Sequence, residues 1–220
     1  MSQLFKLAYR NIGRNKTRSL LSALAVAGGM ALLLLMVSVM EGEMRGALTN
    51  TIRLQSGHLQ IRPASYEEGK TSLKWDDLIA DPEAVAQTLK TLPEVITATP
   101  RLIASGILSL SDESKGVQIS GVDPLSNANQ PFREGLIAGE FIRPEDREGI
   151  MIGNILAEKL KLAVGDAVNL LVNTSNGDIV EQMFTIRGIY TTNTFGYDES
   201  TVFLPLDKAQ TITGAEDRAS

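Results

Sequence analysis

Residues 20–40 read LLSALAVAGGMALLLLMVSVM, twenty-one positions without one charged side chain. As a helix rising about 1.5 Å per residue, the run covers about 31 Å, against about 30 Å of bilayer hydrocarbon. Its seven leucines and three valines favour insertion by about 3 to 6 kcal/mol before the glycine and serine offsets. A cleaved signal peptide also starts with basic residues, but its apolar part is only about 7–15 residues long and ends at small side chains. Here the run leads into Met40-Glu41-Gly42-Glu43-Met44, a poor cleavage site. A buried soluble helix fits neither the length nor the basic flank. The stretch reads as a transmembrane helix.

The flanks orient it. Residues 1–19 carry Lys6, Arg10, Arg14, Lys16 and Arg18 and no acid, so they hold +5 of a chain whose total is −5, and the remainder holds −10. By the positive-inside bias, the N-terminus is expected in the cytoplasm and everything after about residue 41 on the far side. An acidic exported part argues against nucleic-acid binding, which needs positive charge on the folded domain. Between Leu4 and Arg14, helical phasing gathers Leu4, Phe5, Ala8, Tyr9 and Ile12 on one side and Lys6, Arg10 and Arg14 on the other, with Leu7 as the exception. A basic amphipathic helix in the headgroup layer has this pattern; a flexible basic anchor is the alternative. Within the span, Ala23, Ala27 and Ala31 recur every four residues beside Gly28 and Gly29. That spacing lets another helix approach closely.

Beyond the span, Met44, Ala47, Leu48 and Ile52 keep a helical period, so residues 41–55 are expected as a stalk. Gly57 ends it, and His58-Leu59-Gln60-Ile61 alternates like a half-buried strand. Residues 56–220 then read as one extracytoplasmic α+β domain, strand-dominated with short helices, with residues 126–190 as an inserted strand-rich subdomain. Asp81-Pro82-Glu83 gives a cap, a proline at the first helical position and an early acid, with Val85, Leu89 and Leu92 as the buried face. Strands are expected within 95–110 and at 117–120, 150–152, 168–172, 179–190 and 201–204, and Asp207 as the cap of a last helix. The chain stops at Ser220 with no closing pattern, so a fragment of a longer protein is expected.

Composition bounds the chemistry. Without cysteine there is no disulfide, thiolate nucleophile or cysteine zinc site. Aromatic residues make up 5%, against a girdled membrane barrel. Gly69-Lys70-Thr71 lacks the glycine five residues earlier that a phosphate loop needs, since position 64 is Ala. His58 is the single histidine and builds no metal site by itself. Asp76-Asp77 and Asp112-Glu113 are sequence neighbours, not carboxylates opposed across a cleft. Asn173-Thr174-Ser175 matches a glycosylation acceptor and is given no weight. Trp75, in a polar stretch beside Leu73 and Leu78, and Phe195 and Tyr197, in the polar run 191–198, are candidate partner contacts, with core packing as the alternative. No residue is assigned a catalytic, cofactor or metal role.

The opening Ala8-Tyr9-Arg10-Asn11-Ile12-Gly13-Arg14-Asn15-Lys16-Thr17-Arg18-Ser19-Leu20-Leu21 resembles the start of ABC-transporter permeases of the MacB/FtsX-like type. Gly121-Val122-Asp123-Pro124, Leu160-Lys161-Leu162-Ala163-Val164-Gly165-Asp166, and Val202-Phe203-Leu204-Pro205-Leu206 followed by Ala209-Gln210 resemble that family's extracytoplasmic domain, in the expected order. Ser56-Gly57-His58-Leu59-Gln60-Ile61 is similar to the lipoprotein-releasing (LolC/LolE) branch. The resemblance implies a MacB-like periplasmic core domain on a non-catalytic permease subunit of the bacterial inner membrane. It also implies a cytosolic ATPase partner that holds the ATP and Mg, a second permease copy or paralogue, and a periplasmic carrier or adaptor. Three further spanning helices of that family are not in this sequence. Two other readings remain: an FtsX-like permease that signals to wall hydrolases, and a single-span membrane-anchored binding module.

Overall fold

The computed structural model describes residues 15–67, 71–111 and 113–220. The segment carrying Lys6, Arg10 and Arg14 lies outside them. The chain divides into two compact units between Gln55 and Ser56. Within the first, α1 runs unbroken over Lys16–Thr51 and ends in a wider, π-type turn at Ile52–Ser56. The helix from Lys16 to Leu54 is long and apolar enough to cross a membrane. Its leucines are bare: Leu32 is 72% exposed and Leu35 67%. Such a surface is stable only in lipid or against other apolar helices. The expected span and stalk therefore lie on one helix, with Lys16 and Arg18 in its first turn.

The second unit is a mixed sheet. Its strands are β2 (Arg101–Leu110), β3 (Glu113–Val122), β4 (Leu136–Gly139), β5 (Gly149–Gly153), β6 (Ala167–Asn173), β7 (Ile179–Tyr190) and β8 (Thr201–Pro205). Their order is β4-β7-β5-β8-β3-β2-β6, and β6 also pairs with β7. The twelve-residue β7 makes this closure. Its first part pairs antiparallel with β6 from Ile179 to Thr185, and its second part pairs parallel with β5 from Thr185 to Tyr190. Six strands thus form a closed ring, β7-β5-β8-β3-β2-β6 and back to β7.

Strand alternation fills the ring. Leu102, Ala104 and Leu108 of β2, Ile119 of β3, Ile150 and Ile152 of β5, Leu170 of β6, Phe184 and Ile186 of β7, and Val202 and Leu204 of β8 form one buried cluster. Helix α6 (Leu206–Thr213) adds Leu206, Ala209 and Ile212 to it. Gly121 permits that approach, because a Cβ there would sit 2.5 Å from the Ala209 Cβ. The residues between the inward ones point the other way. There Phe203 and Tyr190 meet Phe132 of α3 (Gln130–Glu134) and Tyr197 of α5 (Phe195–Ser200), with centroids 4.4 Å apart for Phe132–Phe203 and 5.0 Å for Tyr190–Phe203. A second, aromatic core therefore covers the outer face of the ring on one side.

Several expectations need correcting. His58-Leu59-Gln60-Ile61 is not a strand; Leu59 is 82% exposed, and alternation without a neighbouring strand to pair with does not make one. The four strands of 126–190 join the same sheet as β2, β3 and β8, and 56–220 is one unit, so no inserted subdomain separates out. Asp81 precedes α2 (Pro82–Lys90) as expected, but in a left-handed conformation (φ 47°) with no side-chain cap bond. The cause is local: the chain passes from β1 (Ile79–Ala80) into α2 with Asp81 as the only spacer. The buried face of α2 is Pro82 and Ala86; Val85 and Leu89 are half-buried and Leu92 is exposed. Asp207 lies inside the first turn of α6, whose cap is Pro205, because β8 runs straight into the helix.

Candidate functional site

Two places in the folded unit carry side chains whose positions need explaining, and α1 carries a third. On α1, Ser22, Ala23, Val26, Ala27, Met30, Ala31 and Leu34 line one shallow apolar groove. Ala23, Ala27 and Ala31 are among its lining residues. Gly28 lies about 100° further round the helix, off that groove, and a Cβ on it would meet nothing within 4 Å.

The second place is where the chain enters and closes the ring domain. Segment 71–80 comes in beneath Leu73 and Leu78, which pack against the inner cluster, and turns through a single 3₁₀ turn at Trp75–Asp77. The turn is stitched locally: the Ser72 hydroxyl donates to the Asp77 carboxylate at 2.6 Å. β1 then pairs antiparallel with β9 (Arg218–Ala219), Ile79 opposite Ala219 and Ala80 opposite Arg218. The Asp81 amide donates to the Asp217 carbonyl, and the Ser220 amide to the Arg101 carbonyl. Trp75 spans this junction. Its Nε1 donates to the Gly214 carbonyl at 3.3 Å, and the Arg218 guanidinium lies 4.8 Å from its ring centroid. The same carbonyl accepts the Ser175 hydroxyl at 2.7 Å, from the turn between β6 and β7. Gly214 thus joins three segments at the end of α6. Trp75 remains 51% exposed while making these contacts.

The third place is the run 191–198. Asp198 is buried, and its carboxylate accepts from the Thr192 amide, the Thr192 hydroxyl at 2.6 Å and the Thr191 hydroxyl at 2.8 Å. Gly153 lets β5 pass against it, since a Cβ there would lie 2.1 Å from the Asp198 carbonyl oxygen. Tyr197 is buried in the aromatic core, not displayed as a contact residue, and burial pushes its phenol up to about 12. Helical phase explains this: in a six-residue helix lying on the ring, Tyr197 and Asp198 face in while Phe195 faces out. Phe195 is 61% exposed, with the Lys159 ammonium of α4 (Asn154–Leu160) 5.3 Å from its ring centroid. Next to it, Glu199 accepts from Lys115 and Lys159, both at 2.7 Å; those bonds hold its carboxyl below the usual value.

Of the sequence candidates, Trp75 and Phe195 are exposed and Tyr197 is not. Arg218, Gly214, Asp198 and the Lys115–Glu199–Lys159 bridge were missed. Only Asp198 had a readable signal, an acid shortly after Thr191-Thr192. His58 lies exposed in an irregular segment. Thr174 closes a tight turn, its hydroxyl accepting from the Asp178 amide. Gly69, Lys70 and Asp112 lie outside the described residues. Among the described residues no cluster of three His, Asp or Glu is placed to hold a metal ion.

Comparison with known proteins gives one family. The model for the MacB-like periplasmic core domain matches residues 19–219. The lipoprotein-releasing system transmembrane protein LolE of Haemophilus influenzae is 26% identical over 213 residues, covering 89% of this chain and 48% of LolE. The macrolide export ATP-binding/permease protein MacB of Campylobacter jejuni is 26% identical over 148 residues, 66% of this chain and 22% of MacB. The chain therefore spans about half the length of the first relative and less of the second. Among solved structures, the extracellular domain of the noncanonic ABC-type transporter YknZ from Gram-positive bacteria aligns with a TM-score of 0.48 at 16% identity, over 65% of this chain and 70% of that one.

Proposed function

Because this chain belongs to the MacB-like periplasmic core domain family, we propose that it is the N-terminal part of an ABC-transporter permease subunit that turns cytosolic ATP hydrolysis into movement of an exported domain. The observation that carries the reading is the extent of the family match, which takes in the apolar helix and the whole ring domain. In this reading α1 crosses the inner membrane with its basic end in the cytosol, and residues 56–220 work in the periplasm. The permease holds no nucleotide; ATP and Mg belong to a separate ATPase subunit. The second half of the permease pair is another copy or a paralogue, and a periplasmic carrier or adaptor receives the substrate. Lipoprotein release is the favoured task, because the likeness to LolE runs over 89% of the chain and that to MacB over 66%. A signalling permease acting on wall hydrolases is the competing task.

The test is mechanical. A Gly-Ser pair inserted beside Arg45 in the full-length protein, co-expressed with its ATPase, breaks helical continuity between the apolar run and Ile52. The expected result is an assembled complex that hydrolyses ATP but no longer releases lipoprotein into the periplasm. Unchanged release overturns the reading. Loss of wall-hydrolase activation with intact release transfers it to the signalling task.

A further inference from the structure

The strands β1 and β9 pair over only two residues each. A two-stranded pair of that length is marginal by itself, yet it is where segment 71–81 joins segment 214–220. The pairing is antiparallel, with Ile79 opposite Ala219. Both chain ends therefore leave the pair from the same side, and a pull on either peels it open one rung at a time. Trp75 precedes Ile79 by four residues. It is tied to Gly214 through its indole N–H and to Arg218 through its ring face. Gly214 is in turn fixed by Ser175, and the Arg218 carbonyl accepts from Gln210 of α6 at 2.8 Å. A load reaching Trp75 is thus shared by the β6–β7 turn and α6 before it reaches Ile79.

From this geometry we infer that Trp75 is a positioning residue, a latch that locks the incoming segment 71–81 to the closing segment 214–220 so that the ring domain moves as one body. The inference rests on the permease reading for its purpose, but the latch itself is a property of the fold. Half of the indole surface stays in solvent because the ring's partners lie on one face and one edge. A residue kept only for core packing would bury both faces.

The experiment has a structural arm and a functional arm, both on the full-length protein in its membrane complex. In Trp75→Ala, deuterium exchange at the Asp81 amide, whose bond to Asp217 closes the junction, should speed up about tenfold. That is the loss of one cation–π contact and one hydrogen bond. Trp75→Phe, which keeps a ring for Arg218 and loses the N–H donor, should fall between. Export should drop while ATP hydrolysis continues. Ala80→Cys with Arg218→Cys places a disulfide across residues opposed in register. Added to Trp75→Ala, it should restore export when oxidised and lose it again when reduced. A purely structural role for the indole would not produce that redox dependence. Unchanged exchange at Asp81 in Trp75→Ala overturns the latch, as does an oxidised bridge that leaves export impaired. If the wild-type chain couples to no ATPase, the permease reading falls and the exchange arm still decides the latch.

Discussion

The two faces of the strand ring are held by different physics. The inner face is aliphatic: Leu102, Leu108, Ile119, Ile150, Ile152, Leu170 and Leu204 interdigitate with Phe184 as their aromatic member. They come from strands whose neighbours in the ring bury one another whatever the loops do. The outer face is aromatic and is assembled from four separated segments. Phe132 arrives on α3, Tyr197 on α5, and Tyr190 and Phe203 on strands, with Phe132 and Tyr197 stacked at 6.0 Å and Phe132 and Tyr190 edge-on at 5.9 Å. The inner core therefore makes the ring, and the outer core fastens loops and short helices to it. Burial alone does not distinguish them, since Leu102 and Phe203 are both fully buried. What differs is how many chain segments each one holds.

The largest effects should test that division directly. Phe203→Ala removes the ring shared by all three of its aromatic partners and should cost about 3–5 kcal/mol; Leu102→Ala should cost about 2–5 kcal/mol. The totals overlap but the consequences should separate. The Leu102 variant should lower the global unfolding midpoint while limited proteolysis of the native state keeps the wild-type pattern. In the Phe203 variant, cleavage should begin within 126–135 and 191–200 before the ring unfolds. Identical cleavage patterns for the two would mean that the outer cluster is merely an extension of the inner one.

The inner face was legible in the sequence and the outer one was not, for the same reason. Strands at 150–152, 168–172, 179–190 and 201–204 announce themselves by local period, and they stand within a residue or two of where the fold puts them. The partner of each strand is not local. That β7 pairs with β6 along one part and β5 along another depends on its length and on closure of the ring, which no window of sequence contains. The apparent inserted unit at 126–190 dissolved on that account. Tyr197 misled for a related reason: it sits in a polar run, and only the six-residue helix laid on the ring turns it inward. Trp75 was singled out as a lone aromatic in a polar stretch, but its partners, Gly214 and Arg218, lie about 140 residues away.

Asp198 sharpens the contrast at smaller scale, as the polar counterpart of the outer aromatic core. Asp198→Ala would leave the half-buried Thr192 amide and two threonine hydroxyls without the buried carboxylate that accepts from them. Charge-assisted bonds of this kind are worth about 1.5–3 kcal/mol. The expected result is a loss of about 2–3 kcal/mol by denaturant melting, together with faster exchange at the Thr192 amide. A loss under about 0.5 kcal/mol, the range of ordinary surface substitutions, would show that the loop is held by Tyr197 alone.

The residue next to it should give the smallest effect and the one most easily switched off. Glu199 bridges Lys115 of β3 and Lys159 of α4 at the surface, and those two ammonium groups hold its carboxyl below the ordinary value of 4.5. A carboxyl whose folded value is depressed stabilises the fold above its unfolded value. That contribution is lost as the pH falls through the folded value, because the protonated form no longer attracts the lysines. Glu199→Gln keeps the shape and removes the charge. The gap in melting temperature between wild type and Glu199→Gln should therefore be present at neutral pH, shrink once the pH drops below 4.5, and narrow with added salt at neutral pH. A gap of the same size at every pH would mean that Glu199 acts through packing and that the bridge contributes nothing electrostatic.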